Sequence, residues 1–286
     1  MTLEALIALS RDGFIAGPGE SESDFEKRVA YCKNLHTELE TSTTEETIEA
    51  HTITKRWFDI TPTWVPCVFS NHQLSLWHGG CAWIFQKDDK TPTGAFLQLR
   101  KTFKKNKMFL GIYRRNEFIA HELCHVGRMM FQEPRFEEVI AYQSASSSFQ
   151  RFFGPLIRSS FEAILFTLIL MMIVLIDVMI LMTGSFAFYQ QLMWLKLLPF
   201  GLVFLALLRL VWTQFKFQRC RQKLKEVLSS DEKISAVIFR LTDNEIDQFG
   251  SMTPGEIRGH AENAAIHELR WKQISVYFLD IKPNSH

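Results

Sequence analysis

The spacing of apolar residues divides this chain sharply. From Ala163 to Met182 it reads AILFTLILMMIVLIDVMILM, with Asp177 as the single charge. About 20 such residues are what a helix needs to cross the bilayer core. A second run, LMWLKLLPFGLVFLALLRLVW, extends from Leu192 to Trp212 and is interrupted by Lys196, Pro199 and Arg209. The uncharged link GSFAFYQQ joins the two. The pattern predicts a transmembrane helical hairpin over residues 160–213, because a core helix of a soluble protein would carry only a narrow apolar stripe. Counted back from the middle of the link, Asp177 and Lys196 differ in depth by about two residues, roughly 3 Å of helix rise, so they are expected to pair across the hairpin. That pair is either structural or part of an ion path. Arg209, near the end of its run, is expected to snorkel. Arg151 and Arg158 precede the first span, and Lys216, Arg219, Arg221, Lys223 and Lys225 follow the second. By the positive-inside rule both flanks, and with them the N- and C-termini, are expected on the cytoplasmic side of an integral membrane protein. The lipid bilayer is then one partner, and the hairpin offers a surface for oligomerisation.

Outside the hairpin the spacing changes twice. Residues 1–60 form an N-terminal segment with helical character, a loop at residues 15–20, and a helix start after Ser21 or Ser23 with Asp24 and Glu26 in its first turn. Residues 61–115 are richer in Trp, Thr, Val and Phe, with turn signals at Pro62, Pro66, Gly79-Gly80 and Pro92; short strands are predicted at Cys81–Phe85 and Ala95–Leu99. After the hairpin, Ser229-Ser230-Asp231-Glu232, Thr242-Asp243-Asn244-Glu245 and Thr253-Pro254-Gly255-Glu256 each read as a helix start with a capping box. The fold class is therefore α+β: a helical segment 1–60, a core with a small sheet over 61–150, the hairpin, and a helical domain over 214–286.

Composition narrows the function classes. Apolar residues make up 47% of the 286, with 25 Phe, which marks an ordered chain. A net charge of +1 lacks the cationic excess that phosphate backbones demand, so no nucleic-acid partner is expected. Cys32, Cys67, Cys81, Cys124 and Cys220 make no CxxC pair and read as reduced thiols. The first residues, MTLEALIALSRDG, do not resemble a secretory signal.

The segment Asn116–Phe131, NEFIAHELCHVGRMMF, carries the chemistry. It has helical periodicity, and His121 and His125 at i and i+4 project from one face. Two imidazoles so placed can share a zinc ion, which accepts nitrogen ligands in a tetrahedron, while Glu122 can serve as general base to a water on that ion. The HExxH string alone arises by composition in roughly one chain in fifty of this size, so its surroundings decide. Ile119-Ala120 and Leu123-Cys124 enclose it in apolar or small residues. In the metzincin pattern Gly and His would stand at positions 128 and 131; Arg128 and Phe131 stand there instead.

Beyond it, Glu138-Val139-Ile140-Ala141-Tyr142 resembles the ExxA form of the gluzincins, the thermolysin-like group of zinc peptidases. The resemblance covers about 25 residues. It implies a zincin-like catalytic core with His121, His125 and Glu138 as zinc ligands, Glu122 as the catalytic base, and a peptide or protein substrate. Glu137 is the alternative third ligand. Where these enzymes often place an Asp this chain has Tyr142, either an oxyanion donor or a core tyrosine. Arg128 is expected to pair with Glu133 or Glu137 or to lie on the surface, His72 and His78 are candidate electrophilic partners, and Gly94–Arg100 is a candidate edge for peptide addition. A non-catalytic membrane scaffold with a structural HExxH helix is the alternative function.

Overall fold

A computed structural model of the chain describes residues 1–38, 45–74, 79–86, 91–109, 111, 113–184 and 186–278. Three helices open it: α1 (Leu3–Arg11), α2 (Glu22–Glu38) and α3 (Glu45–Phe58). Ser21 starts α2, its hydroxyl accepting from the Asp24 amide at 3.2 Å. Strands β1 (Cys67–Phe69), β2 (Gly80–Phe85) and β3 (Gly94–Leu99) make the sheet, and β4 (Met108–Phe109) with β5 (Tyr113–Arg114) makes a small ribbon. Then come α4 (Arg115–Gly127), α5 (Pro134–Ala141), α6 (Ser148–Phe153), α7 (Ser160–Thr183), α8 (Phe186–Leu192) and α9 (Leu198–Lys225). Four helices close the chain: α10 (Asp231–Arg240), α11 (Asp243–Phe249), α12 (Pro254–His267) and α13 (Leu269–Phe278).

The sheet order is β1-β3-β2, with β1 parallel and β2 antiparallel to β3. The Gly94–Arg100 segment is thus the centre of the sheet and offers no edge for peptide addition. The reason is β1, three residues after Pro66, too short to show an alternation in sequence yet able to pair through Cys67↔Leu97 and Phe69↔Leu99. Among the described residues the two edges of the sheet are the outer sides of β1 and β2.

Two apolar clusters meet at α4. Ile119, Ala120, Leu123 and Val126 pack with Phe14, Phe25, Trp64, Leu97 and Leu99 beneath the sheet. Cys124 instead faces a cluster built from Phe58, Ile60, Phe136, Val139 and Ile140 together with Phe217, Val237, Phe239, Phe249 and Trp271 of the later helices. All five cysteines are free thiols.

The two long apolar helices are not core helices: their most apolar windows, within Phe161–Thr183 and Phe188–Lys225, are only 11% and 6% buried. Both are long and apolar enough to cross a membrane. Lys196 Nζ stands 3.0 Å from Asp177 Oδ2, the expected pairing across the hairpin. The second run is subdivided, with a 3₁₀ turn over Met193–Leu197 before α9, which takes Pro199 into its first turn where a missing N–H costs nothing. Arg209 has a partner of its own. Its guanidinium forks onto both Glu162 oxygens at 2.6 and 2.9 Å and donates to the Leu156 carbonyl at 3.1 Å, because Glu162 in the first turn of α7 lies at the same level.

Beyond the apolar run α9 continues into the second cluster through Phe217, Cys220 and Leu224. Capping boxes form at Thr242–Glu245 and Thr253–Glu256, as the sequence predicts. At α10 the cap is Ser230, whose third helical position is Lys233, so no box closes there. Buried arginines bind these helices to the rest. Arg240 donates to Ser10 Oγ at 3.1 Å and to the Phe58 carbonyl at 2.8 Å, joining α10 to α1 and α3. Arg270 forks onto Glu245 with two bonds of 2.8 Å, and Trp271 Nε1 adds a third at 2.7 Å.

Glu245→Ala leaves the buried Arg270 with a single carboxylate bond, to Glu268 Oε2 at 3.0 Å, in place of a forked carboxylate, and chemical denaturation of the purified protein should show a loss of up to about 3–5 kcal/mol. Burial alone would raise the Glu245 carboxyl, but the Arg270 bonds outweigh it and hold the group below its ordinary value. Its stabilisation is therefore complete above about pH 4.3, the ordinary glutamate value, and is lost as pH falls through the lower folded value. The stability gap between wild type and Glu245→Gln should close over that acid range.

Candidate metal centre

Helix α4 carries His121, Glu122 and His125 between the two apolar clusters. It approaches α10 closely at Gly127, where a Cβ would lie 2.8 Å from Phe239 Cζ. A turn through Gln132, at φ +51°, reverses the chain into α5, which begins at Pro134. The first amides of α5 are capped from a distance. Asp243 accepts from Arg135 N at 2.9 Å and from Phe136 N at 3.3 Å, while Glu133 accepts from Asp243 N at 2.6 Å. Arg128, expected on Glu133, on Glu137 or at the surface, is instead buried and donates to the carbonyls of Phe239 and Leu241 at the end of α10. The carbonyls left open at that helix end supply acceptors that the carboxylates do not have to provide. Both helices of the centre are thus fixed to the C-terminal helices.

So positioned, His121, His125 and Glu138 form a group able to hold a metal ion. The two imidazole Nε2 atoms are 3.2 Å apart, Glu138 Oε2 is 3.6 Å from His121 Nε2, and Glu138 Oε1 is 3.5 Å from His125 Nε2. Ligands held at about 2.0–2.2 Å from one tetrahedral ion stand about 3.3–3.6 Å from each other. The three donors are spaced for a single ion between them. Glu137, the alternative ligand, takes a different place: its Oε1 is 2.8 Å from His125 Nδ1, on the far side of the ring. A carboxylate behind a ligand histidine fixes its tautomer and raises its basicity. His121 is held in the same way by the backbone of Ala141. Tyr142 lays its ring against His121, centroids 4.6 Å apart and nearly perpendicular.

Glu122 points to the sheet. Its Oε2 accepts from the Ala82 amide at 2.7 Å, on the side of β2 turned away from β3. Nothing in the sequence marked Ala82, since its contribution is a backbone N–H. Asp243 was legible only as part of a capping box for its own helix. His72 is not brought to the centre; it stands exposed after β1, its amide bonded to Ser70 and its carbonyl to Gln98. His78 lies outside the described residues.

Burial dominates the electrostatics. It pushes His121 well below its ordinary value, helped by the charge of His125. His125 is driven down by burial too, but its bond to Glu137 and the charges of Glu138, Glu137 and Glu122 override this and raise it to about 9. Glu122 and Glu138 are raised, each chiefly by burial. Burial would also raise Glu137, yet its bond to His125 brings it below the ordinary value. Protonated His125 balances the carboxylates in the metal-free protein, and a divalent cation would displace that proton.

Comparison with protein-family models, with curated proteins and with solved structures gave no match.

Titration with a divalent metal followed by elemental analysis should find one ion per chain. His121→Ala, His125→Ala and Glu138→Ala each remove a donor and should abolish stoichiometric binding. Glu137→Gln should weaken it about 10–100-fold, the usual effect of losing a carboxylate behind a ligand histidine.

Proposed function

We propose that this chain is a membrane-anchored zinc metallopeptidase, its centre exposed to the cytoplasm beside the membrane. The observation that carries the reading is the placement of Glu122: beside a two-histidine, one-carboxylate donor set, and bonded to the open side of an antiparallel strand. Such a donor set suits zinc with one position left for water. Zinc, when bound, would acidify that water and polarise a substrate carbonyl.

The residues of the chain supply the rest. An extended peptide adding beyond β2 would set its backbone against the open side of that strand, in front of Glu122. The Ala82 N–H, now on Glu122, is positioned to register it. Glu122 accepts a proton from the attacking water and returns it to the departing amine; the burial that raises its carboxyl suits it to both halves of that exchange. Tyr142, resting on His121, is the donor assigned to the developing oxyanion. Glu137 holds His125 in the tautomer that presents Nε2. The hairpin anchors this machinery. The basic residues at both flanks support a cytoplasmic centre.

The experiment is peptide hydrolysis by the purified full-length protein with zinc added. Glu122→Gln should lower kcat by about 10²–10⁴-fold, the range for loss of a general base, with metal content and melting unchanged. Tyr142→Phe should lower it by about 10²–10³-fold with little change in KM, as for loss of one oxyanion donor. Hydrolysis that survives Glu122→Gln at the wild-type rate contradicts the assignment of Glu122 as the base, and absence of hydrolysis by the zinc-loaded wild type favours the non-catalytic scaffold.

A further inference from the structure

We propose that α6 and the 3₁₀ turn behind it, Gly154–Leu156, form a wedge that lies in the membrane interface, so that the centre acts on polypeptide segments standing directly above the same membrane face. The substrate part rests on the peptidase reading; the wedge rests on its own contacts.

Two elements mark one level of the molecule. On α9, Trp212 and Phe215 are exposed and stacked at 6.1 Å, with Lys216 Nζ 5.7 Å from the Trp212 ring and the Arg219 guanidinium 5.7 Å from the Phe215 ring. Exposed aromatics topped by cations at the end of an apolar helix are the signature of the interfacial belt. Gln214, on the buried face of the same turn, donates to the carbonyls of both Arg151 and Phe152 at 3.3 Å. Arg158 adds a bond of 2.6 Å to Thr213. The wedge is therefore pinned at the height of the belt. Its outer surface is apolar: Phe149 is 69% exposed, Phe152, Phe153 and Ile157 are exposed as well, and the rings of Phe149 and Phe152 lie 4.7 and 4.9 Å from that of Phe153. The occupant that fits is the bilayer, because α7, long and apolar enough to cross one, starts at Ser160 and exposes Phe161 again just past the polar Arg158 and Ser159.

The wedge is also one ring away from the centre. A Cβ on Gly154 would fall 2.3 Å from the Tyr142 ring, so the backbone lies directly on that ring, which also packs against His121. A wedge seated at headgroup level holds the first metal ligand just above it. Chain segments tethered to that membrane then meet the centre at high local concentration.

The test uses the full chain in phosphatidylcholine vesicles. A fluorophore is attached at Phe149→Cys, and for reference at the exposed Glu262→Cys on α12, in a Cys81→Ser background whose remaining cysteines are buried. The label at 149 should be quenched by brominated lipid and shielded from iodide, with the reverse at 262. Iodide quenching at 149 equal to that at 262 overturns the wedge, and so does shielding from both quenchers, which would mean that a second copy covers this face. One peptide sequence is then compared free and tethered by a single span. The tethered form should be cleaved about tenfold faster or more, the gain from confinement, and the double variant Phe149→Ser/Phe152→Ser should lose that advantage while keeping the free-peptide rate. Equal rates for the two forms in wild type overturn the substrate class. Cleavage of neither form overturns it together with the peptidase reading, and the quenching result decides the wedge separately.

Discussion

Three ligand atoms have to meet within a few ångström although they come from two helices, and neither helix can hold itself there. The constraint is met at the turn between α4 and α5. Asp243 caps the first amides of α5, Glu133 returns a bond to the amide of Asp243, and Arg128 closes the end of α10. A helix whose first amides are fixed by an outside carboxylate has its rotation set as well as its position. Rotation is what turns Glu138 towards the metal position and Glu137 towards the back of His125. The C-terminal helices are therefore a support for the centre, and the Glu245–Arg270 pair joins α11 to α13 within that support.

The same logic extends to the hairpin. Charges on long apolar helices are costly unless paired, and among the described residues Asp177 pairs with Lys196 near the far end and Glu162 with Arg209 at the near end. The near pair also binds the Leu156 carbonyl, so the foot of the hairpin is joined to the segment that backs Tyr142. The hairpin and the centre are thus joined through the Gly154–Leu156 turn.

Much of this was legible in the sequence because it depends on local spacing. The i, i+4 histidines, the caps at Thr242 and Thr253, strands β2 and β3, and the equal depth of Asp177 and Lys196 follow from helix rise and side-chain alternation alone. What was not legible depends on partners far along the chain. Glu137 and Glu138 are neighbours on a helix whose first amides are capped more than 100 residues later, at Asp243, so the sequence named Glu138 as the ligand but kept Glu137 as the alternative. Arg128 donates to carbonyls at a helix end, whereas the sequence offered nearby carboxylates or the surface. The open side of the sheet was placed on β3 because β1 is only three residues long. Backbone donors such as the Ala82 amide leave no mark in a sequence at all.

The central claim is that two imidazoles and the Glu138 carboxylate surround one metal ion, with Cys124 and Cys81 taking no part. X-ray absorption at the zinc edge of the purified full-length protein tests it directly. The account predicts a first shell of nitrogen and oxygen only, at about 2.0–2.2 Å, with the outer-shell scattering of two imidazole rings. A sulfur scatterer at about 2.3 Å, or a shell with fewer than two imidazoles, would contradict it.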